Sequence, residues 1–79
     1  MNLVIDIGNT VAKVAVFDGF SLLEVVYDSK QNLEHLKDIY HKYHFEKAIV
    51  ATVIDLSEQA LAQLALLPIP VLWLNEKTP

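Results

Sequence analysis

Asn2-Leu3-Val4-Ile5-Asp6-Ile7-Gly8-Asn9-Thr10, continued by Val11-Ala12-Lys13-Val14-Ala15-Val16-Phe17-Asp18, is the stretch on which the fold turns. An apolar run meets a short polar turn, and an alternating run follows. This reads as a buried strand, a tight turn and a returning strand. On the returning strand Val11, Lys13, Ala15 and Phe17 share one face, and Ala12, Val14 and Val16 share the other. Asp, Gly and Asn dominate turns for conformational reasons alone. A turn does not, however, need an acid at the end of an otherwise apolar strand. Burying Asp6 without a partner would cost several kcal/mol. Asp6 therefore either sits in water at the sheet edge or faces a ligand.

The ligand reading is a cradle for phosphate and metal. Gly8 is expected to reach dihedrals that a side chain would forbid, and to let a phosphate approach closely. The turn's N–H groups and the Thr10 hydroxyl can donate to phosphate oxygens. Asn9 can hold the turn by bonding its own backbone. Asp6 is a hard oxygen ligand suited to Mg²⁺, through water, because Mg²⁺ sheds its hydration reluctantly. Lys13 brings a positive charge toward the β- or γ-phosphate. The predicted phosphate-binding segment is thus Asp6, Ile7, Gly8, Asn9, Thr10, Val11, Ala12 and Lys13. It is not a Walker A loop, since GxxxxGK[ST] is absent and a strand, not a helix, follows the turn.

The opening from Met1 to Thr10 resembles that of the type III pantothenate kinases, members of the actin-like kinase and ATPase superfamily. Their first phosphate motif is Asp-x-Gly-Asn-Thr near the initiator Met, and Asp6, Gly8, Asn9 and Thr10 match it. Superfamily members often place Lys or Arg seven residues after the Asp, where Lys13 stands. Sugar kinases tend to have a second Gly at the place of Asn9, and heat-shock ATPases a Thr. The resemblance implies transfer of the γ-phosphoryl of ATP to pantothenate, the first step of coenzyme A synthesis. It also implies Mg²⁺ or a similar divalent cation, a monovalent cation (K⁺ or NH₄⁺), a homodimer and a cytoplasmic location. Family members are much longer and contain two related domains. Residues 1–79 would then be the N-terminal part of the first ribonuclease H-like domain, with the second domain outside the chain. The family's Gly-x-Asp-Arg segment, which supplies the catalytic base and pantothenate contacts, has no counterpart here. No catalytic residue is therefore assigned, and these residues alone are expected to be inactive. Two other readings stay open: a piece of another actin-like ATPase or sugar kinase, which Asn9 disfavours, and a non-enzymatic small domain that self-associates.

Composition narrows the field. In 79 residues, 53% are hydrophobic, which suggests surfaces meant to be covered by something else. Net charge is −4, and the six basic residues (Lys13, Lys30, Lys37, Lys42, Lys47 and Lys77) are scattered, so no nucleic-acid partner is expected. There is no Cys, which excludes thiolate catalysis and a Cys zinc site. No apolar run approaches the ~18 residues of a membrane span. The apolar opening is broken by Asp6 and lacks a basic flank, unlike a signal peptide.

The rest of the chain continues the pattern. Asp18-Gly19 signals a hairpin, and Phe20 to Tyr27 is a third strand. Ser29 or Asn32 is expected to cap an amphipathic helix of about three turns carrying Leu33, Leu36, Ile39, Tyr40 and Tyr43 and ending near His44. Asp38 and Lys42 are spaced to pair on it. Lys47 to Val53 is a fourth strand; like the first, it reads as apolar on both faces and hence covered on both. Asp55 or Ser57 caps a second helix, with Asp55-x-x-Glu58 resembling a capping box. Leu61, Leu64 and Ala65 should face inward, and Pro68 ends the helix. Val71 to Leu74 is a fifth strand, and Asn75 to Pro79 a polar exit. The order β-β-β-α-β-α-β, with right-handed crossovers, predicts an α/β ribonuclease H-like fold. Its mixed sheet has the order 3-2-1-4-5, with the second strand antiparallel to the rest. That fold also hosts nucleases, which need further carboxylates beside Asp6. Thr52 should lie beside the Asp6 turn, where the resembled family usually reads Ser-Val-Val-Pro. His41 and His44 are spaced for shared ligation, but His35 falls on another face and no third ligand follows, so solvated histidines are expected. Trp73 is expected in the core or under a missing domain.

Overall fold

Residues 1–29 and 32–75 are described by the structure, a computed structural model. The elements are β1 (Asn2–Ile7), β2 (Ala12–Asp18), β3 (Ser21–Asp28), α1 (Leu36–Lys42), β4 (Lys47–Thr52), α2 (Glu58–Ala65) and β5 (Val71–Asn75). They form one five-stranded sheet in the order β3-β2-β1-β4-β5. Strand β2 runs antiparallel to both its neighbours. The pairs β1–β4 and β4–β5 are parallel. Parallel neighbours need crossovers, and α1 and α2 provide them. The α/β architecture and strand order are those expected from the pattern. The polar exit over residues 76–79 lies outside the described residues.

The β2–β3 hairpin turns at Gly19, whose φ of 61° is the left-handed conformation that glycine tolerates. Within that hairpin Val16 opposes Glu24 and Phe17 opposes Leu22. Leu23 is the extra residue of a bulge, which keeps Glu24 on the helix side.

Leu3, Ile5 and Ile7 of β1 are fully buried, as are Ala12, Val14 and Val16 of β2 and Ala48 and Val50 of β4. They form one core with Leu33, Leu36, Ile39, Phe45, Ala60 and Leu64. Both helices therefore pack on the same face of the sheet. Each fully buried Leu or Ile contributes about 1.5–3 kcal/mol through loss of apolar surface to water. The other face carries Val4, Asp6, Lys13, Phe17, Val25, Tyr27, Ile49, Leu72 and Leu74, and no described element covers it. This corrects the expectation that the first and fourth strands are covered on both sides. Val4, Ile49 and Ala51 are only half-buried.

Helix α1 is shorter than its apolar period predicts. Leu33 is in the core but adopts φ 47°, a left-handed conformation that stops the helix from reaching back to it. Such a backbone costs a non-glycine residue about 1–2 kcal/mol. Neither Ser29 nor Asn32 caps the helix; His35 stands at the N-cap without a side-chain cap. The start is held instead by Asp28, at the end of β3. Its buried carboxylate accepts from the Ser29 N–H at 2.8 Å and the His35 N–H at 2.8 Å. At the other end Tyr43 is extended, so the helix stops before His44. The Asp38–Lys42 pair does not form: the Lys42 ammonium lies 2.9 Å from Glu24 on β3.

Ser57 caps α2, its hydroxyl accepting from the Ala60 N–H at 3.1 Å. Asp55 is exposed outside the helix, so the Asp55–Glu58 box is not the cap. Ala60 and Leu64, one turn apart, are the helix's buried residues. Leu61 and Ala65 are exposed, contrary to expectation. They border an open apolar groove with Leu67, Ile69, Val71 and Trp73. A helix of eight residues presents one narrow strip, Ala60 and Leu64, to the core, and the neighbouring strip lines the groove.

Candidate phosphate and metal site

The β1–β2 turn is held at its base by the Gly8 N–H, which donates to the Val11 carbonyl at 3.1 Å. Asn9 and Thr10 are exposed at the tip. Behind the tip the register sets Asp6 opposite Lys13 and Ile7 opposite Ala12. Alternation along the strands sends these two pairs to opposite faces. Ile7 and Ala12 are fully buried against the helices, so only their backbone could meet a ligand. Asp6 and Lys13 are exposed on the open face. Neither enters an ion pair among the described residues. Val11 is partly exposed beside the tip.

Gly8 differs from its expected role. Gly19, not Gly8, is the glycine with positive φ. A Cβ built on Gly8 would lie 3.5 Å from the Val11 carbonyl oxygen, an ordinary contact. Neither backbone conformation nor internal crowding requires glycine there. What a side chain at this position would change is access to the turn from outside.

The C-terminal end of β4 lies beside this turn, as expected. Thr52 is the register partner of Ile7, and the Val53 N–H donates to the Ile7 carbonyl at 3.2 Å. The Thr52 hydroxyl is engaged locally. It donates to the Ile54 carbonyl at 2.7 Å and accepts from the Ile54 N–H at 3.2 Å, which shapes the entry to α2.

One grouping was not visible in the sequence. Asp28, Glu34 and His35 bring one ligand atom each within 4.8 Å of one another. The His35 Nδ1 lies 3.3 Å from an Asp28 oxygen. Both Asp28 oxygens already accept backbone N–H bonds, which makes the group a clasp at the helix entry. Residues 28 and 35 are seven apart but share no helix: β3 ends at Asp28 and α1 begins at Leu36. His41 and His44 join no such group among the described residues.

No protein-family profile matches the chain. Over all 79 residues it is 66% identical to a type III pantothenate kinase of Bacteroides fragilis strain ATCC 25285, and it spans 32% of that protein. It is 43% identical to a type III pantothenate kinase of Phocaeicola vulgatus, again over the whole chain and 33% of the relative. Along its whole length the chain is similar to type III pantothenate kinases. It spans about a third of the length of the curated relatives it matches. The sheet, with order 3-2-1-4-5 and an antiparallel second strand, has the topology expected of an actin-like half-domain. No helix among the described residues is long and apolar enough to cross a membrane.

Proposed function

We propose that the chain supplies the ATP-phosphate end of a longer, cytoplasmic, homodimeric pantothenate kinase, which transfers the γ-phosphoryl of ATP to pantothenate. Residues 1–79 form the N-terminal part of its first ribonuclease H-like domain, and a second domain completes the enzyme. One observation carries the reading: an exposed carboxylate and an exposed ammonium, Asp6 and Lys13, stand opposite each other just behind a turn whose glycine has no internal reason to be glycine. The family resemblance supports it.

The residues fit a divalent cation held through water. Asp6 offers a hard, solvent-exposed oxygen with no competing ion pair among the described residues. When bound, Mg²⁺ supplies charge neutralisation at the β- and γ-phosphate oxygens. The chain's own part is positioning. The Gly8 N–H holds the turn through the Val11 carbonyl, and the turn's other N–H groups and the Thr10 hydroxyl donate to phosphate oxygens. Gly8 leaves room for them, Lys13 adds positive charge, and Ile7, Val11 and Ala12 contribute backbone. No monovalent-cation ligand and no base for the pantothenate hydroxyl is assigned within residues 1–79. Phosphoryl transfer depends on positioning and charge stabilisation from every part of the site. The 79 residues alone therefore carry no kinase activity.

The test is made in the full-length protein that carries this sequence. Asp6→Asn should lower kcat/KM for ATP by about a hundredfold or more, the scale of losing one preorganised charge-stabilising group, while the circular dichroism spectrum is retained. Undiminished turnover of ATP and pantothenate by that variant would remove Asp6 from the site. Phosphopantothenate formed by the 79-residue chain alone would overturn the proposed division of labour.

A further inference from the structure

One row across the open face of the sheet contains an aromatic ring, an ammonium and a carboxylate in succession. The register sets Tyr27 of β3 opposite Lys13 of β2, and Lys13 opposite Asp6 of β1. Beyond Asp6 the row continues through Ala51 and Leu74. Tyr27, Lys13 and Asp6 are all exposed, and strand alternation places all three away from the helices and the core. Tyr27 is 66% exposed on an edge strand. It makes no ring contact and no hydrogen bond among the described residues, so the packing of the chain does not account for it.

We propose that Tyr27 is a positioning residue for Lys13. Directly opposed side chains on an antiparallel pair leave Cβ atoms about 4.5–5.5 Å apart. A tyrosine ring there lies within reach of the lysine's flexible stem. The ring walls one flank of the stem and Asp6 attracts the ammonium on the other. Sideways rotamers of Lys13 are thereby restricted, and its charge is held over the row behind the Gly8 turn. An ammonium near an aromatic face is also attracted by the ring quadrupole. Tyr27 itself touches neither ATP nor pantothenate in this proposal. The inference rests on the reading of Lys13 as the cation that meets the ATP phosphates.

The experiment is steady-state kinetics of the full-length kinase with Tyr27→Phe, Tyr27→Leu, Lys13→Ala and the Lys13→Ala/Tyr27→Leu double variant. Tyr27→Leu should raise KM for ATP by about two- to fivefold, the scale of an exposed cation–π contact, with kcat held. Tyr27→Phe should match the parent, because the ring acts and not the hydroxyl. In the Lys13→Ala background Tyr27→Leu should add nothing. An unchanged KM in Tyr27→Leu, an equal rise with and without Lys13, or a Tyr27→Phe as impaired as Tyr27→Leu would each overturn the proposal. If Lys13→Ala itself leaves KM for ATP unchanged, the phosphate reading of Lys13 fails and this inference with it. If Lys13→Ala raises KM and Tyr27→Leu does not, only this inference fails.

Discussion

Gly8 and Asp28 show how differently two residues near the same end of the sheet are constrained. Gly8 has an ordinary backbone conformation and room for a Cβ. Gly8→Ala should therefore change stability by no more than about 1 kcal/mol. If the turn binds phosphate as proposed, the same substitution should raise KM for ATP in the full-length protein, since the added methyl would narrow access to the turn. A thermal melt and KM for ATP, measured on the same preparation, check the two halves of that expectation. Asp28 is the reverse case, a buried carboxylate on two backbone N–H groups. Asp28→Ala leaves donors without their acceptor and should destabilise the fold by about 2–3 kcal/mol, the scale of bonds to a charged group. Urea denaturation measures it. The carboxylate at position 6 stands out in the sequence because an acid interrupts an apolar strand. Asp28 does not stand out, because it ends a strand like any polar residue and its partner His35 stands at the N-cap of the next element.

At the level of elements, the contact between α1 and β3 is electrostatic as well as apolar. Glu24 accepts from the Lys42 ammonium at 2.9 Å and from the Tyr43 hydroxyl at 2.7 Å. These bonds, Lys42 first, hold the Glu24 carboxyl below its ordinary value. The same contact, through the bond to Glu24, raises Lys42 above the usual lysine value. A carboxylate lowered by folding stabilises the fold above its unfolded value. That stability is lost as pH falls through its folded value. A lysine raised by folding does so below its unfolded value, and the gain is lost as pH rises through the folded one. Glu24→Gln should accordingly flatten the loss of stability below about pH 4 and lower the plateau at neutral pH. Denaturant midpoints measured across pH test this. The α2 cap is simpler: Ser57→Ala should cost about 1 kcal/mol by the same denaturation assay. The existence of both helices was legible from their apolar spacing. Ser57 was among the caps expected for α2; the ends of α1 were not legible, because Leu33 takes a left-handed backbone and Tyr43 an extended one.

At the scale of the whole molecule, the sheet is covered on one side. Leu22, Val25, Tyr27, Leu72 and Leu74 are between 37% and 66% exposed. A core that closes on one face of a small sheet is marginal, since a chain of this size buries only about 60% of its unfolded surface. The isolated 79 residues should bind an apolar dye. Leu72→Ser together with Leu74→Ser should reduce that binding while shifting stability by no more than about 1 kcal/mol, because these side chains lie outside the core. Dye fluorescence and a melting curve separate the two effects. The high apolar fraction signalled uncovered surface. Which strands it lay on became apparent only from the packing of both helices on one side.

The sequence by itself determined the strand order, the antiparallel second strand and the Asp6-to-Lys13 turn. These follow from local quantities: side-chain periodicity, turn chemistry and the handedness of crossovers. The similarity to type III pantothenate kinases was legible in the same turn, because Asp6, Gly8, Asn9 and Thr10 lie within five residues. Tertiary structure alone decided the one-sided core, the Asp28 clasp, the exchange of Asp38 for Glu24 as partner of Lys42, and the row of Tyr27, Lys13 and Asp6. Each depends on how separate elements are brought together, which no local period encodes. A period of two or of 3.6 residues shows which positions share a face; it does not say whether anything packs against that face, or which distant side chain arrives there first.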